Sequence, residues 1–186
     1  MNCFTAIFFV LQITFTFKDK VIKDPVIESF EQINDQIWYP FIQAYEDLDT
    51  DSFIRLHSSR LVRMDLNEGM QYDIDSYYVQ QKEINDYYKA NKKRRTIDLR
   101  FQHRTVQDSF AYEIGYYKAT SYVHQEPKGI DYYGKFNVIL KKENGYWKII
   151  FDADHGEIPS YLYRSSMELE DLEPFKDSKV IKRRYR

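Results

Sequence analysis

The dipeptide Asn144-Gly145, set between two apolar runs, constrains this chain more than any other feature. Both central residues of a type I′ turn need positive φ, which Asn and Gly tolerate best, so the pair marks a two-residue hairpin loop. Counting outward pairs Leu140 with Ile149 and Val138 with Phe151, while on the other face Ile139 meets Ile150 and Lys135 meets Asp154. This hairpin specifies a fold more than a function, because no catalytic motif of specific spacing accompanies it. A Gly-rich phosphate loop, a nucleophile elbow and a His-Glu-x-x-His helix are all missing from the sequence, which removes nucleotide-dependent and hydrolase readings.

At 186 residues and 43% apolar content the chain can bury one sizeable core, and no Ser/Gly/Pro-rich stretch divides it. Its 17 Tyr and 13 Phe suit a curved sheet or an apolar cleft as well as plain core packing. The net charge of −2 gives no global attraction to nucleic acid, so none is expected as a partner. Two basic runs, Lys92 to Arg95 and Lys182 to Arg186, read as a solvated helix end and a frayed tail. Cys3 is the single cysteine, which excludes an intramolecular disulfide and a cysteine-based zinc site.

Residues 4 to 17 form an apolar run too short to span a membrane and of the right length for a signal-peptide core. Residues 1–17 are therefore expected to direct export, to the periplasm or outside the cell. The run lacks a preceding Lys or Arg and a closing small-x-small site; an N-terminal strand or helix packed on a cytoplasmic domain is the other reading.

After Pro25, apolar residues at Ile27, Phe30, Ile33, Ile37, Phe41, Tyr45 and Leu48 recur every three or four positions and predict a long first helix. Pro40 lies inside it and predicts a kink or a break near Trp38. Thr50 or Asp51 is expected to cap a short second helix, a strand is expected over 61–66, and Asp75 is expected to cap a third helix carrying Tyr78, Ile84, Tyr87 and Tyr88. From Thr96 the period becomes two: Ile97, Leu99, Phe101 and His103 share one face. A turn at Gln107-Asp108 would pair Leu99 with Tyr116, Phe101 with Ile114 and His103 with Tyr112, leaving Glu113 between Arg100 and Arg104 on the outer face. Helices followed by four long antiparallel strands make an α+β layout.

Trp38-Tyr-Pro-Phe-Ile-Gln-Ala-Tyr45, Leu48-Asp49, Leu56-His57-Ser58, Phe110 to Tyr117, Tyr133-Gly-Lys-Phe136 and Trp147 to Asp152 occur in an order that resembles the nuclear transport factor 2-like superfamily. The resemblance is to its SnoaL-like branch of small bacterial domains and covers residues 26–155. It implies a cone-shaped, strongly curved antiparallel sheet wrapped around three N-terminal helices, a cystatin-like fold, with an apolar pocket at one end. It also implies homodimers paired through the outer face of the sheet. Residues 156–186 follow as a C-terminal tail, which Pro159, Pro174 and low apolar content predict to be loosely held.

Within that fold, the strand parity turns His103, Tyr112 and Tyr116 inward, and the first helix adds Trp38 and Tyr45. An isomerase or lyase working by proton transfer would use His103 as base and Tyr116 as hydrogen-bond donor. A noncatalytic domain would bind a small apolar molecule against Trp38, Tyr45, His57, Tyr112 and Phe136, and this is the leading expectation. A structural or partner-binding module is the third. His57 either marks the pocket mouth beside Arg63 or caps the second helix. Asp152 has the outward parity of Ile150 unless a bulge re-aims it, and Asp152-Ala-Asp-His155 lacks the further ligand a metal triad needs. No cofactor and no metal are expected.

Overall fold

A computed structural model describes residues 24–123 and 126–178. The apolar run at 4–17, Cys3 and the basic run at 182–186 lie outside the described residues. Asp24 caps helix α1 (Pro25–Ile33) by accepting a hydrogen bond from the Val26 amide at 2.8 Å. Pro40 interrupts the α-helical ladder near Trp38, as the sequence predicts. It has no N–H to offer the Gln36 carbonyl, and the chain absorbs the mismatch in a widened π turn, Asn34–Trp38, before α2 (Tyr39–Glu46) resumes. The extra residue in that turn brings Asn34, Ile37 and Trp38 together on the buried side.

Helix α3 (Thr50–Ile54) is capped by Asp49 and α4 (Ile74–Ala90) by Asp73, each one or two residues ahead of the caps expected from the sequence. Asp73 and Ser76 form a reciprocal capping box, which decides the start of α4. Arg95 is not part of a solvated helix end. Its guanidinium lies 3.7 Å from the Tyr45 ring centre and donates to the Tyr45 carbonyl and to Asn85, fixing α4 against α2.

The sheet has seven strands: β1 (His57–Asp65), β2 (Met70–Tyr72), β3 (Arg94–Gln107), β4 (Phe110–Tyr122), β5 (Ile130–Glu143), β6 (Tyr146–His155) and β7 (Met167–Glu168), in the order β2-β1-β6-β5-β4-β3-β7. All neighbours are antiparallel except β1 and β6, which run parallel, so the sheet is mixed. Its inner face packs on the helices through Phe101, Leu140 and Ile149 against Phe30, Ile33 and Ile37, all fully buried.

The hairpin at Asn144-Gly145 forms as expected, with φ of 50° and 86° and Leu140 opposite Ile149. Beyond that pair a bulge at Ile150 shifts the register by one: Ile139 faces Phe151, Val138 faces Asp152 and Lys135 faces His155. A second bulge, at Gln102 on β3, does the same to the other hairpin, whose turn sits at Asp108-Ser109. Leu99 faces Tyr117, His103 faces Ile114 and Arg104 faces Glu113. Each bulge adds a residue without a partner, so every side chain beyond it changes face.

Residues 156–178 are not a loose tail. Helix α5 (Ser160–Arg164), β7 and a 3₁₀ turn (Glu173–Phe175) lay this segment against β3 and β4 and bury Tyr163, Leu169 and Phe175. The Tyr163 hydroxyl donates to Asp98 at 2.6 Å and its ring lies against Tyr133. Part of the outer face expected to carry dimer contacts is therefore covered by the chain itself. Among the described residues no helix is long and apolar enough to cross a membrane.

Candidate functional site

A hollow of about 160 Å³ lies between the helices and the inner face of the sheet. Trp38, Phe41, Tyr45 and Phe53 come from the helices, and Leu99, Tyr117, Phe136 and Val138 from the strands. Two glycines shape it. At Gly134 a Cβ would overlap the Tyr117 ring, and at Gly115 it would overlap the Phe136 ring, so each glycine lets the aromatic on the neighbouring strand lie flat across the sheet.

The hollow ends on a cluster of charges. Arg63 of β1 is nine-tenths buried; its Nη2 donates to Asp154 Oδ1 at 2.5 Å, its Nη1 donates to the Met64 carbonyl, and its Nε lies 3.3 Å from Asp152 Oδ2. Tyr77 of α4 packs its ring 5.5 Å from the guanidinium. The bulge at Ile150 builds this site, because it turns Asp152 and Asp154 inward, opposite Val138 and Phe136. Arg63, Tyr117 and Asp154 border both the hollow and a wider polar vestibule outside it, so they form the throat between the two.

Two carboxylates facing one guanidinium leave an excess negative charge in a dehydrated place. Burial raises Asp152 above its ordinary carboxylate value against the opposing pull of Arg63. Asp154 is raised by burial and by Asp152, again opposed by Arg63. The pair therefore holds a proton to higher pH than isolated carboxylates do. Burial would lower Arg63, but Asp152, Tyr77 and Asp154 outweigh it and hold the guanidinium charged. Burial also raises the Tyr77 hydroxyl against the pull of Arg63, and the Tyr117 hydroxyl is raised by burial and by Asp154. The throat thus sets two carboxyls and a guanidinium beside an aromatic chamber.

Of the residues nominated from the sequence, Trp38, Tyr45 and Phe136 line the hollow. His103, Tyr112 and Tyr116 do not: the shifted register puts all three on the outer face. His103 and Tyr112 are exposed there, while Tyr116 is buried beneath the C-terminal segment with its hydroxyl donating to Gln102 at 3.1 Å. Arg104 and Glu113 make the opposite move, from an expected outer-face pair to a fully buried one at 2.8 Å. His57 lies behind the hollow; its Nδ1 is 3.0 Å from the Phe53 carbonyl, which satisfies the end of α3, and its ring edge meets Tyr77. Helix capping is thus its observed place. The sequence reading missed Arg63, Tyr77, Tyr117, Asp152 and Asp154 as a group; the one signal for them was the break in alternation at Ile149-Ile150-Phe151. Among the described residues no cluster of His, Cys, Asp and Glu has the arrangement to hold a metal ion.

The sequence matches no protein-family model, and no curated protein matches it. Solved structures do resemble it. A conserved protein from Planctomyces limnophilus superposes with a TM-score of 0.58 at 14% identity, covering 70% of this chain and 98% of that one. An NTF-2 like protein of unknown function from Shewanella oneidensis gives 0.53 at 14%, covering 68% and 98%. A ketosteroid isomerase-like protein from Erwinia carotovora atroseptica gives 0.51 at 12%, covering 77% and 100%. At these identities the likeness is one of fold, and it does not single out the SnoaL-like branch.

Proposed function

We propose, from the premise that this chain has the nuclear transport factor 2-like fold, that it binds a small and mostly apolar molecule in the cone, with the molecule's polar end at Arg63, Asp152 and Asp154. The observation that carries this reading is the aromatic hollow ending on a buried charge cluster. Its volume, about 160 Å³, is close to that of a cavity of about 150 Å³ known to take benzene in another protein. The hollow itself therefore takes a group the size of one six-membered ring, and a larger molecule would extend through the throat into the vestibule. Calorimetry with ring-sized probes tests the reading. The expected result is saturable binding that is lost when Ala119, on the wall of the hollow, is enlarged in Ala119→Phe. Binding unaffected by that substitution would place the probe elsewhere and refute the proposal.

A second reading, proton transfer on the bound molecule by an isomerase or lyase, is favoured by two carboxyls sharing one guanidinium. In that case Asp152 or Asp154 takes the role of base and Tyr117 that of donor, in place of His103 and Tyr116. Turnover that falls in Asp154→Asn and is untouched in His103→Ala supports it; the reverse pattern removes it.

A further inference from the structure

The vestibule outside the throat is lined by five carboxylates, Asp65, Glu68, Asp131, Asp154 and Glu157, against two basic side chains, Arg63 and His155. Asp131 is partnered by Lys118 at 3.3 Å and by the Thr120 hydroxyl at 2.7 Å, and Arg63 is already engaged by both Asp152 and Asp154. Asp65 is held on its turn by the backbone amides of Asn67 and Glu68. The approach to the hollow remains strongly negative after these pairings, and a cleft lined by one sign of charge concentrates ions of the other. Arg63 Nε is left without a hydrogen-bond partner, but it lies 3.3 Å from Asp152 Oδ2, whose charge opposes an incoming anion.

An independent observation lies inside. Asp152 is 8% exposed and borders the hollow, yet it accepts no hydrogen bond from any described residue; its one charged contact is Arg63 Nε at 3.3 Å. A carboxylate has about four acceptor positions, and those of Asp152 that Arg63 does not face are open to the hollow. What its free side faces is the chamber, so the missing donor belongs to whatever the chamber holds. The ring of Tyr117 stands at the throat, where an aromatic face favours a passing cation.

Resting on the ring-binding reading, we infer that the ligand is a protonated amine carried on a ring-sized apolar body, its ammonium group donating to Asp152 and Asp154 and its ring lying among Trp38, Phe41 and Phe136. An anion of the same size is repelled at the vestibule, and a neutral alcohol offers Asp152 one uncharged donor.

Titration calorimetry of the full chain with benzylamine, benzyl alcohol and benzoate separates these cases, since the three probes share one ring and differ in charge. Benzylamine is expected to bind about tenfold more tightly than benzyl alcohol, and benzoate more weakly than either. Asp154→Asn should remove most of the amine's advantage over benzyl alcohol. Should that variant fail to fold, Glu68→Gln with Glu157→Gln, both at exposed positions, should weaken benzylamine about two- to threefold in low salt and not in high salt. Equal affinity for benzylamine and benzyl alcohol, or tighter binding of benzoate, overturns the cation inference while the ring-binding reading stands. If none of the three binds, both fall.

Discussion

Glu113→Leu is the substitution whose outcome separates the structure from an outer-face reading of the same residues. Glu113 accepts from Arg104 Nε at 2.8 Å through one oxygen and from Trp38 Nε1 at 2.7 Å through the other. Arg104 also donates to Asn34 at 2.8 Å and, at 3.4 Å, to the Leu169 carbonyl, which Asn34 itself reaches at 2.9 Å. The network thus ties the π turn, the sheet and the C-terminal segment together at a point no solvent reaches. Removing the carboxylate leaves a guanidinium buried without its counter-charge, at a cost of about 3–5 kcal/mol. The orphaned indole N–H adds about 1 kcal/mol or more, which together approaches the lower end of the roughly 5–15 kcal/mol that a whole domain has. Had the pair lain on the outer face, the loss would be about 0–1 kcal/mol. The double variant Arg104→Met with Glu113→Leu removes both charges and should be more stable than Glu113→Leu alone. Urea unfolding followed by circular dichroism measures all three proteins, and limited proteolysis reports whether residues 160–178 come away. A loss below about 1 kcal/mol in the single variant, or a double variant no more stable than Glu113→Leu, would refute the buried-network argument.

His57 supplies a pH test. Burial pushes its imidazole down from 6.5 to about 4, against the Phe53 and Ile54 backbone contacts that would raise it. The native state therefore binds fewer protons than the unfolded one, so this stabilisation is full above pH 6.5 and is lost as pH falls toward 4. At about 1.4 kcal/mol per unit the loss amounts to about 3 kcal/mol. Asp152 and Asp154, raised on folding, act with the opposite sign above pH 3.8, so the comparison is made against His57→Leu. The stability difference between the two proteins should move by about 3 kcal/mol in the variant's favour from pH 7 to pH 4; a constant difference contradicts the neutral buried histidine. Gly134→Val should displace the Tyr117 ring from its seat on β5, and a shift in tyrosine near-ultraviolet dichroism together with weaker probe binding would register it; an unchanged spectrum and affinity would show that the ring does not need the glycine.

The fold was legible because its signals are local. Asn144-Gly145 fixed one hairpin through the φ values its turn demands, and the three- and four-residue spacing from Ile27 to Leu48 fixed the first helix. The helix caps slipped by one or two residues because Asp49-Thr50-Asp51 offers three competing capping side chains and Asp73-Ile-Asp75 two, and only the backbone path chooses between them. Trp38, Tyr45 and Phe136 of the site were legible, but Asp152 and Asp154 were not, since they sit beyond a bulge. Alternation identifies a face only while the phase is kept, and Ile149-Ile150-Phe151 is apolar on both faces, so nothing in that run marks where the phase changes. Gln102-His103, polar on both, hides the other shift in the same way. The buried Leu169 and Phe175 were overlooked for a different reason: a few apolar residues among prolines and acids have no period, and their burial depends on a sheet formed elsewhere in the chain.

The bulge at Ile150 makes the phase of β6, more than its residue types, decide the chemistry of the chamber. Ile150 is the residue without a partner, so deleting it would keep Asp152 opposite Val138 and Asp154 opposite Phe136, with both aspartates still on the inner face. A ladder that paired Ile150 with Ile139 would instead set Phe151 opposite Val138, swing both aspartates out to the solvent and leave a hydrocarbon plug facing an unneutralised cation. Where the unpaired residue falls between turn and throat therefore tells more about chemistry than which residues follow it.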